Sequence, residues 1–259
     1  MPETRLSVVV ITHNASATLS RCLKSADFAD ETLVVDCGSD DDTAEIARAH
    51  GARLLLEQWR GFGAQKQFAS EQASYDWVLC LDSDEVVSDS LRHSIELALS
   101  GLDTSQTDPA AFSFARRNHF LGRALLHGEG YPDLSLRLFD RRRAHWSDDT
   151  VHEKVVVNGE QVTLAGDLLH YSGDDLTTYL SKQNRYSTLA AQSGVASGQR
   201  ASMSRALGSA LLRFVKYYLL RRGFLDGWPG LVHILIGCSN SFFKYVKMLE
   251  INNKANTKD

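Results

Sequence analysis

The sequence predicts a doubly wound α/β fold carrying a C-terminal amphipathic helical extension. Three observations predict it. Short β-branched runs alternate with helically spaced segments through residue 85. Three of those runs end abruptly in polar clusters, as parallel strands do where the chain leaves a sheet covered on both faces. Beyond residue 200 the pattern changes to apolar stripes of helical period with Lys and Arg between them.

Taken in order, Leu6–Ile11 is a short buried strand, ended by Thr12-His13-Asn14. Ser16 or Asn14 is placed to cap a helix through Leu19, Cys22 and Leu23. Thr32–Val35 is a second strand, and Asp36-Cys37-Gly38-Ser39-Asp40-Asp41-Asp42-Thr43 leads into a helix that stops at Gly51. Ala52–Leu56 is a third strand, Ala64–Ser74 a helix after Gly61-Phe62-Gly63, and Trp77–Leu81 a fourth strand. On a parallel sheet the ends at Thr12, Asp36 and Asp82 share one rim, where ligands bind in open α/β sheets.

The fourth strand ends in Asp82-Ser83-Asp84-Glu85. Residues two apart in extended backbone point the same way. Asp82 and Asp84 thus offer hard oxygen ligands suited to Mg²⁺ or Mn²⁺ bridging to phosphates. An acidic turn before a helix would look the same, and Asp36–Asp42 read alone is equally a helix-capping cluster. No Gly-x-Gly-x-x-Gly follows the first strand and no Walker-type loop is present, which disfavours dinucleotide dehydrogenases and P-loop enzymes.

Composition sets the outer bounds. The chain has 259 residues, 43% hydrophobic and 23% charged, enough for one large domain or one domain with an appendage. Its four cysteines share no metal-like spacing, which predicts a reduced, cytosolic chain without disulfides. Neither a signal peptide nor a membrane-spanning segment is expected. The net charge of −4 hides an asymmetry: residues 200–259 carry ten Lys or Arg against three acids. Such a tail points to an anionic surface, membrane or nucleic acid.

Four blocks occur together: Val8-Val9-Val10-Ile11-Thr12-His13-Asn14, Val35–Thr43, Gly63-Ala64-Gln65-Lys66-Gln67 and Trp77–Glu85. In this order they resemble glycosyltransferase family 2. The resemblance implies a GT-A fold, a nucleotide-sugar donor and inversion at the anomeric carbon. It assigns Thr12, Asn14, Asp36 and Ser39 to the uridine part, Lys66 to the nucleotide or diphosphate, and Asp82 and Asp84 to the metal and its diphosphate. His13 departs from the residue often found there.

Beyond residue 85, Ser88–Leu99 is read as an amphipathic helix, and Ala111–Ala115 and Leu134–Phe139 as strands. Arg141-Arg142-Arg143-Ala144-His145-Trp146 is read as a basic, solvated turn. Thr150-Val151-His152-Glu153-Lys154 and His170 form a second constellation. An inverting transfer needs one carboxylate near the acceptor hydroxyl and an electrophilic clamp on the leaving diphosphate. Glu153 is taken as the base, with Asp133 and Glu85 as rivals, and His170 as a third metal ligand or diphosphate contact. Tyr131-Pro132-Asp133, Arg137-Leu138-Phe139, Trp146, His152-Glu153, His170 and Arg221–Gly230 resemble the bacterial lipopolysaccharide core β-1,4-glucosyltransferase subgroup. Arg137 and His152 are carried over as substrate-binding residues.

Residues 174–193 are expected to be helical, followed by a linker and two amphipathic helices, Met203–Arg222 and Leu231–Leu249. The apolar face of the first is Met203, Leu207, Ala210, Leu211, Phe214 and Tyr218, opposite Arg205, Arg213 and Lys216. That of the second is Leu231, Leu235, Cys238, Phe242, Val246 and Leu249, opposite His233, Asn240, Lys244 and Lys247. These helices are expected to pack on each other or on the catalytic domain, or to lie on the inner leaflet.

The expectation is a metal-dependent inverting glycosyltransferase with a catalytic domain over 1–199 and a basic helical extension over 200–259. Its partners are a UDP-sugar, most simply UDP-glucose, a heptose of the lipopolysaccharide core, and the inner membrane surface from the cytoplasmic side. Nucleic acid is not expected, because the tail's aromatics lie on apolar helix faces. The rivals are another UDP-sugar, a polyprenyl-phosphate or other glycan acceptor, and a silent sugar-nucleotide-binding module.

Overall fold

The computed structural model describes residues 4–102, 108–147, 153–173 and 176–256. The chain divides into two units, Met1–Arg116 with Asp133–His170, and Arg117–Pro132 with Tyr171–Asp259.

In the first unit, strands β1 (Leu6–Thr12), β2 (Glu31–Asp36), β3 (Arg53–Leu56) and β4 (Trp77–Asp82) are parallel. Helices α1 (Leu19–Ser25), α2 (Thr43–Ala49) and α3 (Phe62–Gln72) connect them. There follow β5 (Glu85–Val87), α4 (Asp89–Ser100), β6 (Ala111–Phe120), β7 (Arg123–Ala124), β8 (Asp133–Asp140), β9 (Ala144–Trp146), β10 (Val155–Val157) and β11 (Gln161–Gly173). The sheet order is β3-β2-β1-β4-β8-β6-β11-β5, with β7 on the end of β6 and β9-β10 as a separate ribbon. The winding proceeds outward from β1 to β3, then β4 returns on the other side of β1. That reversal puts the switch point, where ligands bind in such sheets, at the carboxyl ends of β1 and β4.

Alternation along the strands builds a core on each face of the sheet. Val8, Val10, Leu79 and Leu81 pack with Leu19, Cys22 and Leu23 of α1 and Leu91, Ile95 and Leu99 of α4. Val9, Val78 and Cys80 pack with Ala69 of α3, Phe139 and Trp146. Burying each large apolar side chain contributes roughly 1.5–3 kcal/mol. A charge inside β4 would forfeit this and add a desolvation cost, so the acids appear only at its end.

Several local expectations are corrected. α1 starts after Thr18 with no side-chain cap. Asn14 Oδ1 instead accepts from the Asp40 amide at 3.0 Å, and the Ser16 amide donates to Asp41 at 3.0 Å. The basic run 141–146 is only half a turn: its end is β9, paired to β10, with Trp146 buried. Arg141 there donates to the Ser70, Glu71 and Ala73 carbonyls at the end of α3, the usual way a cation satisfies a helix C-terminus. Ser88, read as the first residue of a helix, is the cap of α4 and accepts from the Leu91 amide at 3.3 Å.

The second unit contains α5 (Leu176–Ala196), α6 (Met203–Phe214), a π-helical stretch Val215–Leu220, a 3₁₀ turn Gly223–Asp226 and α7 (Gly227–Asn256). The expected helix to Arg222 thus stays α-helical only to Phe214. α7 begins before Pro229, which a first turn tolerates because those amides have no partner within the helix. α7 packs on both α5 and α6, and the packed faces differ from those expected. Lys247 of α7, expected on a polar outer face, donates to the Asn184 carbonyl at 2.9 Å and to Ser187 at 2.8 Å on α5. α5 supplies polar acceptors there, so the ammonium is satisfied in the packed face. Arg213, expected opposite the packed face of α6, pairs with Glu129 and donates to Ser241 at 3.2 Å. Gly237 leaves room for it, since a Cβ there would lie 2.8 Å from Arg213 Nε. Among the described residues no helix is long and apolar enough to cross a membrane.

Candidate active site

The rim of the first unit gathers two groups of side chains. The first joins the ends of β1 and β2, where Thr12 and Asp36 are register partners. Asp36 Oδ1 accepts from Thr12 Oγ1 at 2.9 Å and Ser39 Oγ at 2.5 Å. Its Oδ2 accepts from the amides of Gly38 at 3.1 Å and Ser39 at 2.9 Å. Burial alone would raise this carboxyl, but the bonds from Ser39, Thr12 and Gly38 win and hold it below its ordinary value. Ser39 Oγ also accepts from the Asn14 amide at 2.8 Å. Asn14 adopts φ +50°, a left-handed conformation that Asn tolerates better than most residues. The four residues expected around the uridine therefore form one network. In it, Asp36 is fully occupied in tying the two strand ends together.

The second group surrounds Asp82 at the end of β4. Asp82 Oδ1 lies 3.1 Å from Lys66 Nζ, and Oδ2 accepts from Arg137 Nη2 at 2.8 Å. The same Lys66 Nζ is 3.3 Å from Glu153 Oε1. Arg137 also reaches Glu85 Oε1 at 3.2 Å, and Glu85 Oε2 accepts from the Asp82 amide at 2.9 Å. Burial would raise the Asp82 carboxyl, yet Arg137 and then Lys66 hold it well below the usual carboxylate range. Burial would lower the Arg137 guanidinium, and Asp82 and Glu85 drive it up instead. Both cations lie over the Trp146 ring, Lys66 Nζ at 4.9 Å and the Arg137 guanidinium carbon at 5.7 Å from its centroid.

Asp84 and His170 meet on the same rim. The β11–β5 register sets His170 opposite Glu85, and His170 Nε2 is 3.5 Å from Asp84 Oδ2. One carboxylate and one imidazole, with Asp82 engaged by two cations, are donor types that could hold a Mg²⁺ or Mn²⁺ ion. Among the described residues no cluster of three His, Cys, Asp or Glu side chains forms. His152 lies outside the described residues.

Of the predicted site residues, Lys66, Asp82, Arg137 and Glu153 come together, Asp84 and His170 form a neighbouring pair, and Thr12, Asn14, Asp36 and Ser39 form their own cluster. Asp133, a rival for the base, is held by Arg116 at 2.6 Å. Glu85, the other rival, has a fully buried side chain. Sequence reasoning gave Trp146 no role in the site. It entered only as one of the residues that carry the subgroup resemblance, and the three-residue strand it ends is too short to show a period.

Such a sheet, with acids and cations along the carboxyl-end rim, is the GT-A architecture of glycosyltransferases. The sequence model of glycosyl transferase family 2 matches residues 7–154, and the chain belongs to that family. It is 30% identical over 263 residues to an uncharacterized glycosyltransferase of Rickettsia prowazekii, covering 97% of this chain and 89% of that protein. It is 28% identical over 257 residues to the lipopolysaccharide core biosynthesis glycosyltransferase LpsC of Rhizobium meliloti, covering 96% and 94%. A solved mannosyltransferase of Pyrobaculum calidifontis, in complex with GDP-Man and Mn²⁺, shares the fold with a TM-score of 0.52 at 15% identity, covering 95% of this chain and 87% of that one.

Proposed function

We propose that this family 2 enzyme transfers glucose from UDP-glucose, with inversion, to a heptose of the lipopolysaccharide inner core at the cytoplasmic face of the membrane. In this reading residues 1–199 carry catalysis and residues 200–259 meet the membrane. The observation that carries the proposal is Lys66, which bridges Asp82 at the switch point to Glu153. It gathers one cation and two carboxylates where a diphosphate and an acceptor hydroxyl would meet. The lipopolysaccharide core assignment of LpsC supports the acceptor class. The Mn²⁺ in the mannosyltransferase complex supports a divalent ion, which Asp84, His170 and Asp82 would hold here.

When bound, that ion offsets negative charge on the departing UDP. The protein's own residues do the rest. Thr12, Asn14, Asp36 and Ser39 shape the nucleoside end of the rim. Lys66 and Arg137 place positive charge near the diphosphate, and His152 follows the family motif as a further substrate contact. Glu153 accepts the acceptor hydroxyl's proton as its oxygen attacks the anomeric carbon in line with the leaving phosphate. A single carboxylate suffices, because a one-step inverting transfer forms no glycosyl-enzyme bond. The burial of Glu85 and its bonds to Arg137 and the Asp82 amide support a positioning role for it rather than that of base.

The test is UDP release from a panel of UDP-sugars, with and without truncated lipopolysaccharide, in Mg²⁺, Mn²⁺ or EDTA. Release requiring UDP-glucose, metal and a heptose-bearing acceptor is the expected result. Release with another sugar would correct the donor. UDP binding without release from any donor would favour a silent binding module.

A further inference from the structure

The second unit exposes an apolar surface that its packing does not use. α6 turns its small residue Ala206 and its Arg213 toward neighbouring protein. With about 100° per residue, Leu207, Leu211 and Leu212 lie on the side away from these two, with Met203 at its edge. Met203, Leu207, Leu211 and Leu212 are 51%, 59%, 64% and 71% exposed. The surface continues through the π-helical stretch, where Leu219 and Leu220 are 51% and 75% exposed. Phe214, Tyr218 and Phe224 form a chain of rings, with centroids 4.9 and 6.0 Å apart, that joins α6 to the 3₁₀ turn. A patch of this kind on a water-soluble face is costly unless something covers it.

The charges on the same segment say what covers it. Arg205, Lys216, Arg221 and Arg222 are exposed. The one acid between residues 200 and 228, Asp226, is buried and is taken by His127, whose amide donates to it at 2.8 Å and whose ring Nδ1 lies 2.9 Å away. The segment is thus apolar and rimmed by cations, and contributes no exposed carboxylate of its own. A protein partner would more commonly answer it with mixed charge, whereas an anionic phospholipid surface answers both features at once. We infer that residues 203–225 form an interfacial docking surface for an anionic phospholipid bilayer, with the leucines entering the headgroup boundary and the cations meeting phosphates. This deepens the membrane part of the proposed function and rests on that part alone, not on donor or acceptor chemistry.

The experiment is co-sedimentation of the full chain with phosphatidylglycerol-rich vesicles and with phosphatidylcholine vesicles. UDP release with a delipidated, water-soluble heptose acceptor is measured in parallel. The wild type is expected to bind the anionic vesicles preferentially and to weaken as salt rises. Leu207→Glu/Leu211→Glu should weaken vesicle binding by at least about tenfold and leave turnover on the soluble acceptor unchanged. Lys216→Gln/Arg221→Gln, which spares the packing, should remove the preference for anionic lipid. Vesicle binding without turnover on any donor would uphold this surface while removing the transferase reading. Absence of wild-type vesicle binding would overturn the inference, as would equal binding by the Glu double variant. A wild-type dimer in light scattering that the same variant dissolves would overturn it too, by assigning the patch to a second copy of the chain.

Discussion

Lys66 Nζ lies 3.3 Å from Glu153 Oε1 although 87 residues separate them in the chain. Lys66 comes from α3 and Glu153 from the segment just before β10, so the ion pair closes the rim from two independent elements. Lys66 is only 5% exposed, and its other partner is Asp82. The pairing gives the site one cation shared by two carboxylates, a charge that an arriving diphosphate would compete for. Lys66→Met should lower kcat/KM for UDP release by about 10²–10³, the range for losing one preorganised electrostatic contact. Turnover within about threefold of wild type would remove Lys66 from the chemistry.

Glu153 and Asp84 should fail in different ways. Glu153→Gln keeps shape and removes the proton acceptor, so kcat should fall by about 10²–10⁴ with little change in metal-supported UDP binding. Asp84→Ala removes one side of the Asp84–His170 pair and should weaken UDP binding in Mg²⁺ or Mn²⁺ while leaving the weak binding in EDTA unchanged. Calorimetric titration of UDP with and without metal separates the two. Full turnover in Glu153→Gln would pass the base role to another group.

Much of this was legible in the residues because each strand of the first half ends where its charge begins. Val8–Ile11, Leu33–Val35 and Trp77–Leu81 are apolar, and Thr12, Asp36 and Asp82 mark the rim directly. The grouping of Thr12, Asn14, Asp36 and Ser39 came from the family resemblance, and the strand ends placed Thr12 and Asp36 on one rim. What the sequence did not reveal were pairings set by long-range geometry. The bond from Arg137 to Asp82 and Glu85 needs β8 to lie beside β4, a neighbour relation with no local signal. Trp146 needs the β9–β10 ribbon. For the apolar face of α6 the sequence left packing and a leaflet both open, because periodicity does not say what covers a stripe; the packing goes to Ala206 and to an Arg213 that pairs with Glu129.

Arg137 is buried between two acids, so its removal should cost stability as well as activity. Arg137→Met leaves Asp82 and Glu85 without their shared counter-charge, and removing one partner of a buried pair typically costs about 3–5 kcal/mol. Urea denaturation should show a lower midpoint. Adding Glu85→Gln to Arg137→Met should recover part of the loss, because a neutral amide no longer needs the guanidinium. If Arg137→Met proves as stable as wild type, the buried cluster is not held by this ion pair.

His233 supplies a prediction about pH in the second unit. Its ring packs against Phe120 and Tyr179, with centroids 5.3 and 6.1 Å away. Burial first, and then Arg213, lower its pKa from 6.5 to about 4, with Asp226 opposing. The folded state therefore binds fewer protons than the unfolded state between those values. The stability this contributes is fully present above the unfolded value of 6.5 and is lost as pH falls toward 4. The full contribution is about 3 kcal/mol by proton linkage. His233→Gln removes the titrating ring, so the difference in urea stability between wild type and variant should shrink as pH drops from 6.5 to 4. A difference that stays constant across that window would mean that His233 is charged or solvated in the folded chain, and that the ring cluster does not exclude water from it.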